Sequence, residues 1–146
     1  METLKFSIKI EATKQIVWGA LWNETNYPKW TSVFGEGNKA ISDWNEGSKI
    51  QFIAKDGGGL FSIIEKKVIN ETIIFKHLGE LKNGEEISNE WAGAKEKYFL
   101  SEQEGITHLN VEMDTKAEYK EYFNDVFPKA LEIVKQISEK QLKYIQ

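Results

Sequence analysis

Cysteine and arginine are both absent from this 146-residue sequence. Without cysteine the chain can form neither a disulfide nor a thiolate zinc site. Without arginine it lacks the forked guanidinium that binds phosphates and carboxylates through two parallel hydrogen bonds. An anionic ligand would therefore have to be held by lysines or by backbone amides.

Long apolar runs and an excess of positive charge are also missing. No stretch approaches the length of a signal peptide or a membrane span, and the net charge is −4. A phosphate backbone needs a basic surface, so the composition argues against nucleic acid as a partner. With 40% hydrophobic and 29% charged residues, the chain is typical of globular proteins. We expect one cytoplasmic domain over residues 1–146 with no membrane span.

A long amphipathic helix is the clearest pattern that is present. Between about residues 118 and 145, apolar side chains repeat at helical spacing around Phe123, and charged side chains occupy the other faces. Pro128 lies away from this apolar stripe, so it predicts a bend and not an end of the helix. Because one helix cannot bury such a stripe against itself, it needs a sheet as its partner. The members of the stripe are Tyr119, Phe123, Val126, Phe127, Ala130, Val134 and Ile137.

The rest of the chain has the patterns of strands, turns and two short helices. Residues 3–11 alternate between apolar and polar, which predicts a half-buried strand. Thr13 predicts the N-cap of a helix over 14–22, and Pro28 predicts a short second helix that ends near Phe34. Further strands are predicted at about 38–44, 48–55, 59–69, 71–79, 88–102 and 106–114.

These elements favour an α+β fold with a strongly curved antiparallel sheet of about seven strands. Their order resembles the START-like (SRPBCC) superfamily, whose helix-grip fold has two short helices after the first strand and a long C-terminal helix across the concave face. Residues 10–21 resemble the first strand and opening helix of that family, and residues 27–30 resemble its second helix, with Trp30. Residues 43–50 resemble the turn into the third strand, and residues 127–132 the aromatic-x-x-Ala-Leu run of the last helix. The likeness is greatest to the branch named after the Aha-type activator of a heat-shock chaperone ATPase.

The resemblance implies a cavity between the sheet and the long helix, which in relatives often holds lipids, steroids, polyketides or aromatic compounds. We predict a mostly apolar pocket of several hundred cubic ångströms, roughly the usual size of a ligand site, with Trp30 and Phe34 as its lid. Each ring could instead be plain core packing, since aromatic side chains bury well against one another. The candidate cavity residues are Trp30, Phe34, Phe52, Phe61, Phe75, His77, Trp91, Tyr98, Tyr119, Phe123 and Phe127.

Polar chemistry is sparse in this sequence. His77 shares strand parity with Phe75, so it could point into the cavity as a base or a donor, or it could be a core-edge histidine bonded to a backbone carbonyl. His108 is expected on the solvent face, and two histidines on opposite faces predict no metal site. No motif predicts a catalytic nucleophile, and no cofactor is expected. An enzyme could draw only on His77, Tyr98 and Glu90.

Three classes of function follow from these observations. The first is a binding protein for a small hydrophobic or aromatic molecule. The second is a chaperone-associated interaction module with a protein partner, which the resemblance alone supports. The third is an enzyme of the cyclase, dehydratase or hydrolase kind, and we favour the non-enzymatic classes. For the assembly we expect a monomer or a weak homodimer.

Overall fold

The computed structural model describes residues 1–88 and 92–145, with side chains as far as residue 140. Strand β1 (Glu2–Ile10) is followed by helix α1 (Lys14–Trp22) and the short helix α2 (Tyr27–Trp30), which continues as a 3₁₀ turn over Thr31–Val33. The further elements are β2 (Lys39–Ile41), β3 (Lys49–Ile53), β4 (Gly59–Val68), β5 (Thr72–Lys82), β6 (Glu85–Ser88), β7 (Lys95–Gln103), β8 (Ile106–Thr115), a 3₁₀ turn (Ala117–Tyr119) and α3 (Lys120–Ile145).

The strands form one antiparallel sheet in the order β1-β8-β7-β5-β4-β3-β2, and β6 pairs with β5 beside this path. With the long helix α3, this sheet makes the α+β helix-grip arrangement that the sequence predicted. On β8 the buried side chains alternate with exposed ones as expected, and His108 is exposed. The predicted fold class is confirmed.

The strand predicted over 88–102 differs from the structure at its start. Strand β5 runs on to Lys82, and Asn83 and Gly84 then take positive φ angles of 51° and 81°, as in a two-residue hairpin turn. The turn leads into β6, which the sequence analysis did not predict as a separate strand. The next strand, β7, begins only at Lys95 because a turn at Gly93, with φ of 97°, precedes it.

Helix α1 begins as its sequence predicted. The Thr13 hydroxyl accepts the backbone N–H of Ile16 at 3.4 Å, which satisfies one of the N–H groups left free at a helix start. The helix buries Val17, Ala20 and Leu21 completely. Both the N-cap and the predicted range of 14–22 are confirmed.

Helix α3 lies against β1 and α1 with its apolar stripe inward. The helix continues through the exposed Pro128, which confirms the prediction that this proline does not end it. The ring of Phe127 stacks on that of Phe6, with centroids 4.8 Å apart. Phe123, which the sequence placed at the centre of the stripe, is only half-buried. The fully packed part of the helix comes one turn later, at Phe127, Ala130, Leu131 and Val134.

Within the described ranges 1–88 and 92–145, no helix is both long enough and apolar enough to cross a membrane.

Candidate functional site

A cavity of about 490 Å³ lies between the sheet, α2 and the first turns of α3. It forms where α3 diverges from the sheet, before the helix becomes fully packed at Phe127. Its volume agrees with the predicted several hundred cubic ångströms and falls in the range of small-molecule sites. Most of the wall is apolar and aromatic.

Eight of the eleven candidate residues lie at this cavity. Among them Trp30 is almost fully buried, and its indole N–H donates to the carbonyl of Leu21 at 2.8 Å, so it belongs to the packed wall and does not form a movable lid. Phe34 is only partly buried and contacts Phe123 and Phe127 across the cavity side of α3. The eight are Trp30, Phe34, Phe52, His77, Tyr98, Tyr119, Phe123 and Phe127.

Of the remaining three candidates, Phe75 and Phe61 are not among the described residues at the cavity. Phe75 is fully buried behind the wall, with its ring centroid 5.1 Å from Phe52 and 5.3 Å from Trp22. Phe61 is buried on the other face of the sheet. Trp91 lies outside the described residues, as does Glu90, one of the three groups available to an enzyme.

A β-bulge lies beside Phe61 in the ladder between β4 and β5. Phe61 pairs with Gly79 but Ser62 pairs with His77, so Leu78 is an extra residue in β5. Such an insertion reverses the alternation of side chains along the bulged strand. As a result Ser62 and His77 share the cavity-side face, whereas Phe61 lies against Gly79 on the opposite face.

The same bulge returns Glu80 to the cavity side. Glu80 pairs with Leu60, and Leu60 pairs with Phe52. All three side chains reach the cavity. Without the extra residue, simple alternation from His77 would place Glu80 on the outer face.

A chain of hydrogen bonds runs through the polar part of the wall. The Nδ1 atom of His77 lies 2.6 Å from the Ser62 hydroxyl, and its Nε2 atom lies 3.3 Å from Oε1 of Glu96. The other carboxylate oxygen of Glu96 accepts the Tyr98 hydroxyl. His77 is therefore satisfied by side chains, and not by the backbone carbonyl that the alternative interpretation expected. Ser62 is completely buried and absent from the cavity wall, so it does not present a nucleophile to a ligand.

The charge of Glu96 acts on two phenols at the wall. Burial first, and then the neighbouring Glu96 carboxylate, raise the pKa of Tyr98 well above its ordinary value of 10.0. The same two causes, in the same order, raise the pKa of Tyr27. Both hydroxyls thus remain neutral donors beside a carboxylate. The Glu96 carboxylate beside them can accept a hydrogen bond from a ligand or lie next to a positively charged ligand group.

Comparison with solved structures identifies the architecture. A solution structure of the Aha1 dimer from Colwellia psychrerythraea matches with a TM-score of 0.72 and 20% identity, covering 92% of this chain and 94% of that one. An AHSA1-like protein from Aeromonas hydrophila matches with a TM-score of 0.68 and 16% identity, covering 94% of each chain. The chain has the START-like helix-grip fold of Aha-type proteins.

A structure of another kind of protein matches equally well in shape. DynU16, from the dynemicin biosynthetic locus, has a TM-score of 0.71 at 10% identity, covering 95% of this chain and 48% of that one. No protein-family sequence model matches the chain, and comparison with curated proteins gives no significant sequence match. At these identities the likeness establishes the fold and does not carry a function with it.

Two residues of the cavity could not be identified from the sequence. Glu96 and the buried Tyr98 are two residues apart on β7, so strand alternation places both side chains on the same face. This was the available signal, but an acidic side chain in a strand is normally expected to face solvent. Trp22 was not among the candidate cavity residues, yet its ring contacts those of Tyr27, Trp30, Trp44, Phe75 and Tyr98. Its indole N–H is buried and meets no acceptor among the described residues. In native proteins such a donor is usually satisfied by water or by a ligand.

The entrance of the cavity is lined by exposed apolar side chains. Met1 is 66% exposed, Tyr119 is 50% exposed and Tyr122 is 46% exposed, and all three contribute to the cavity lining. Tyr119 is therefore a rim residue, although its position in the stripe predicted a buried one. In residues 1–88 and 92–145, no three His, Asp or Glu side chains are grouped so that they could hold a metal ion.

Proposed function

We propose that the chain is a single START-like domain over residues 1–146 that binds a small hydrophobic or aromatic molecule between the sheet and α3. The observation that carries this proposal is the aromatic cavity of about 490 Å³ with one polar cluster in its wall. Ligand sites commonly combine an apolar enclosure with a few polar groups that orient the ligand. Here the orienting cluster would be His77, Glu96 and Tyr98.

The packing around the cavity supports this proposal over plain core filling. The rings that only fill space, such as Phe75, are completely buried. By contrast, Phe34, Phe52 and Phe123 keep part of their surface accessible and face the same space. Apolar surface of this kind is released from water when a ligand covers it, which favours binding.

The test is titration with N-phenyl-1-naphthylamine, a neutral fluorescent probe that brightens in apolar surroundings. We expect micromolar affinity, about −8 kcal/mol, and quenching of tryptophan emission. Leu60→Trp adds bulk at a cavity-lining position and should weaken binding by about tenfold or more. Ile41→Trp adds the same ring on the half-exposed β2 and is the control that should leave affinity unchanged. Binding only to denatured protein, or equal binding to both variants, would contradict the proposal.

A protein-interaction module is the second candidate, because the fold matches that of Aha1 proteins, one of which was solved as a dimer. In this reading the exposed Tyr119 and Tyr122 would face a protein and not the entrance of a ligand site. Analytical ultracentrifugation tests the simplest form, self-association. This candidate would be favoured if the wild-type protein is a dimer and the double variant Tyr119→Ser, Tyr122→Ser is a monomer. A wild-type protein that is monomeric at all concentrations would exclude self-association.

A further inference from the structure

Resting on the proposed function, we infer that the ligand carries a protonated amine, and that the Glu96 carboxylate receives it inside the cavity. The ligand class is then an aromatic or apolar amine, as distinct from a fatty acid, an aromatic carboxylate or a neutral hydrocarbon.

Glu96 keeps acceptor capacity toward the cavity. Its side chain is 22% exposed and lies at the cavity wall. Its Oε1 accepts from His77 and its Oε2 from Tyr98, one hydrogen bond each. A carboxylate oxygen can accept two hydrogen bonds, so each oxygen can accept another from a ligand.

The charge of Glu96 is not balanced by a lysine. In the part of the chain that the structure describes, its ion-pairing partner is His77, and no lysine lies within ion-pair distance of it. Charges enclosed in proteins are normally paired, because removing them from water is costly. A ligand ammonium beside Glu96 would add a full positive charge and three N–H donors to the one hydrogen bond that His77 gives it.

The rings around Glu96 favour a cation as well. Tyr98, whose hydroxyl donates to Glu96, has its ring centroid 4.8 Å from that of Trp22, and the Phe52 ring centroid lies 6.3 Å from that of His77. Trp, Tyr and Phe faces attract ammonium groups through their π electrons, most strongly where water is excluded. A cationic head would thus meet a carboxylate in a cavity that is also lined by Trp22, Phe52 and Tyr98.

An anionic ligand is disfavoured at the same place. Among the described residues at the cavity, the acidic side chains are Glu80, Glu96 and Asp114, and the lysine is Lys116. Asp114 is engaged by the Thr3 hydroxyl and the backbone N–H of Lys95, but Glu96 faces the ligand space. Burial is the main cause of the raised pKa values of Tyr98 and Tyr27, and the Glu96 charge raises both further, because a second negative charge is disfavoured beside it.

The test uses three ligands with one ring system: 1-naphthylmethylamine, 1-naphthalenemethanol and 1-naphthoate, which are cationic, neutral and anionic near neutral pH. Isothermal titration calorimetry should give the amine the highest affinity, about tenfold or more above the alcohol, with the carboxylate weakest. In Glu96→Gln, the amine should fall to within about threefold of the alcohol. Glu132→Gln removes the same charge from the exposed face of α3 and should keep the wild-type order.

The outcomes separate this inference from the proposed function. If the alcohol binds and the amine binds no better, or if Glu96→Gln keeps the amine preference, the inference is wrong while the cavity remains a binding site. If none of the three binds, the proposed function fails and the inference fails with it. The affinities of the three ligands for the wild-type protein test the preference for the amine even if Glu96→Gln does not fold. Thermal unfolding of Glu96→Gln shows whether that variant folds.

Discussion

The Nε2 atom of His77 and the Oε1 atom of Glu96 lie 3.3 Å apart across two neighbouring strands. A carboxylate can only accept, so the hydrogen of this bond sits on Nε2. On the other side of the ring, Nδ1 lies 2.6 Å from the Ser62 hydroxyl. The imidazole is thus fixed between two partners, and its Nε2–H group is directed at a carboxylate of the cavity wall.

The first prediction concerns this ring. Long-range ¹H–¹⁵N correlation spectra should show His77 with a protonated Nε2. Ser62→Ala should lower the free energy of unfolding by about 1–3 kcal/mol, because it leaves a buried ring nitrogen without its partner. The exposed His108 is the internal control for the assignment. A ring protonated on Nδ1 alone would rule out the bond to Glu96.

Sequence periodicity predicted most of this fold because it reports which face of an element is buried. It gave the inward direction of His77, the cap at Thr13 and the continuation of α3 through Pro128. It could not report an inserted residue. The bulge at Leu78 depends on how β4 and β5 align in the folded sheet. Phe61 lies beside this bulge, on the face of the sheet away from the cavity.

The periodicity of the sequence could not predict the depth of the cavity either. The stripe on α3 shows which side of the helix faces the sheet, but not where the two surfaces separate. Tyr119, Phe123 and Phe127 have equivalent positions on the helical wheel, yet they are exposed, half-buried and buried in turn. Glu96 was missed for a related reason: only the assembled site shows that a strand carboxylate meets His77 and Tyr98.

The second prediction separates the packed stripe from the cavity wall. Phe127 is 3% exposed and stacks on Phe6, so Phe127→Ala should cost about 3–5 kcal/mol of unfolding free energy. Phe123 is half-buried, so Phe123→Ala should cost only about 1–2 kcal/mol while weakening binding of the naphthylamine probe. Urea denaturation gives both values. Equal costs would mean that the helix is packed evenly along its length.

The third prediction compares two glycines with opposite surroundings. Gly19 lies inside α1 with nothing within 4 Å of an added Cβ, so Gly19→Ala should stabilise the protein by about 0.5–1 kcal/mol through helix propensity. At Gly79 an added Cβ would lie 2.2 Å from the backbone oxygen of Ile87 and 2.7 Å from the Phe61 ring. Gly79→Ala should therefore force β6 away from β5 and cost about 1–3 kcal/mol.

Thermal denaturation of both alanine variants measures this pair, with amide hydrogen exchange to locate the damage. Faster exchange in Gly79→Ala should be confined to the β5–β6 ladder. If Gly79→Ala is as stable as the wild-type protein, the close pairing of β6 on β5 is incorrect. If Gly19→Ala is destabilising, the interior of α1 is more crowded than the structure shows.

The last prediction concerns Tyr98 at high pH. The side chain is completely buried, and burial together with the Glu96 charge holds its pKa well above 10.0 in the folded protein. In the unfolded chain tyrosine ionises near 10. The stability that comes from keeping this phenol neutral is therefore fully present below about pH 10, and it is lost as the pH rises from there toward the folded-state pKa. The loss for one such group is about 1.4 kcal/mol per pH unit.

Tyr98→Phe removes this titration while it keeps the ring. Near pH 8 the variant should be less stable than wild type by about 1–3 kcal/mol, since the Tyr98 hydroxyl no longer donates to Glu96. Above about pH 10 only the wild-type protein carries the extra loss, so the difference should shrink, by up to about 1.4 kcal/mol per pH unit. Urea denaturation between about pH 8 and pH 11 measures it, and tyrosinate absorbance follows ionisation directly. A difference that stays constant over this range would mean that Tyr98 ionises in the folded protein as readily as in the unfolded chain, which the buried contact with Glu96 forbids.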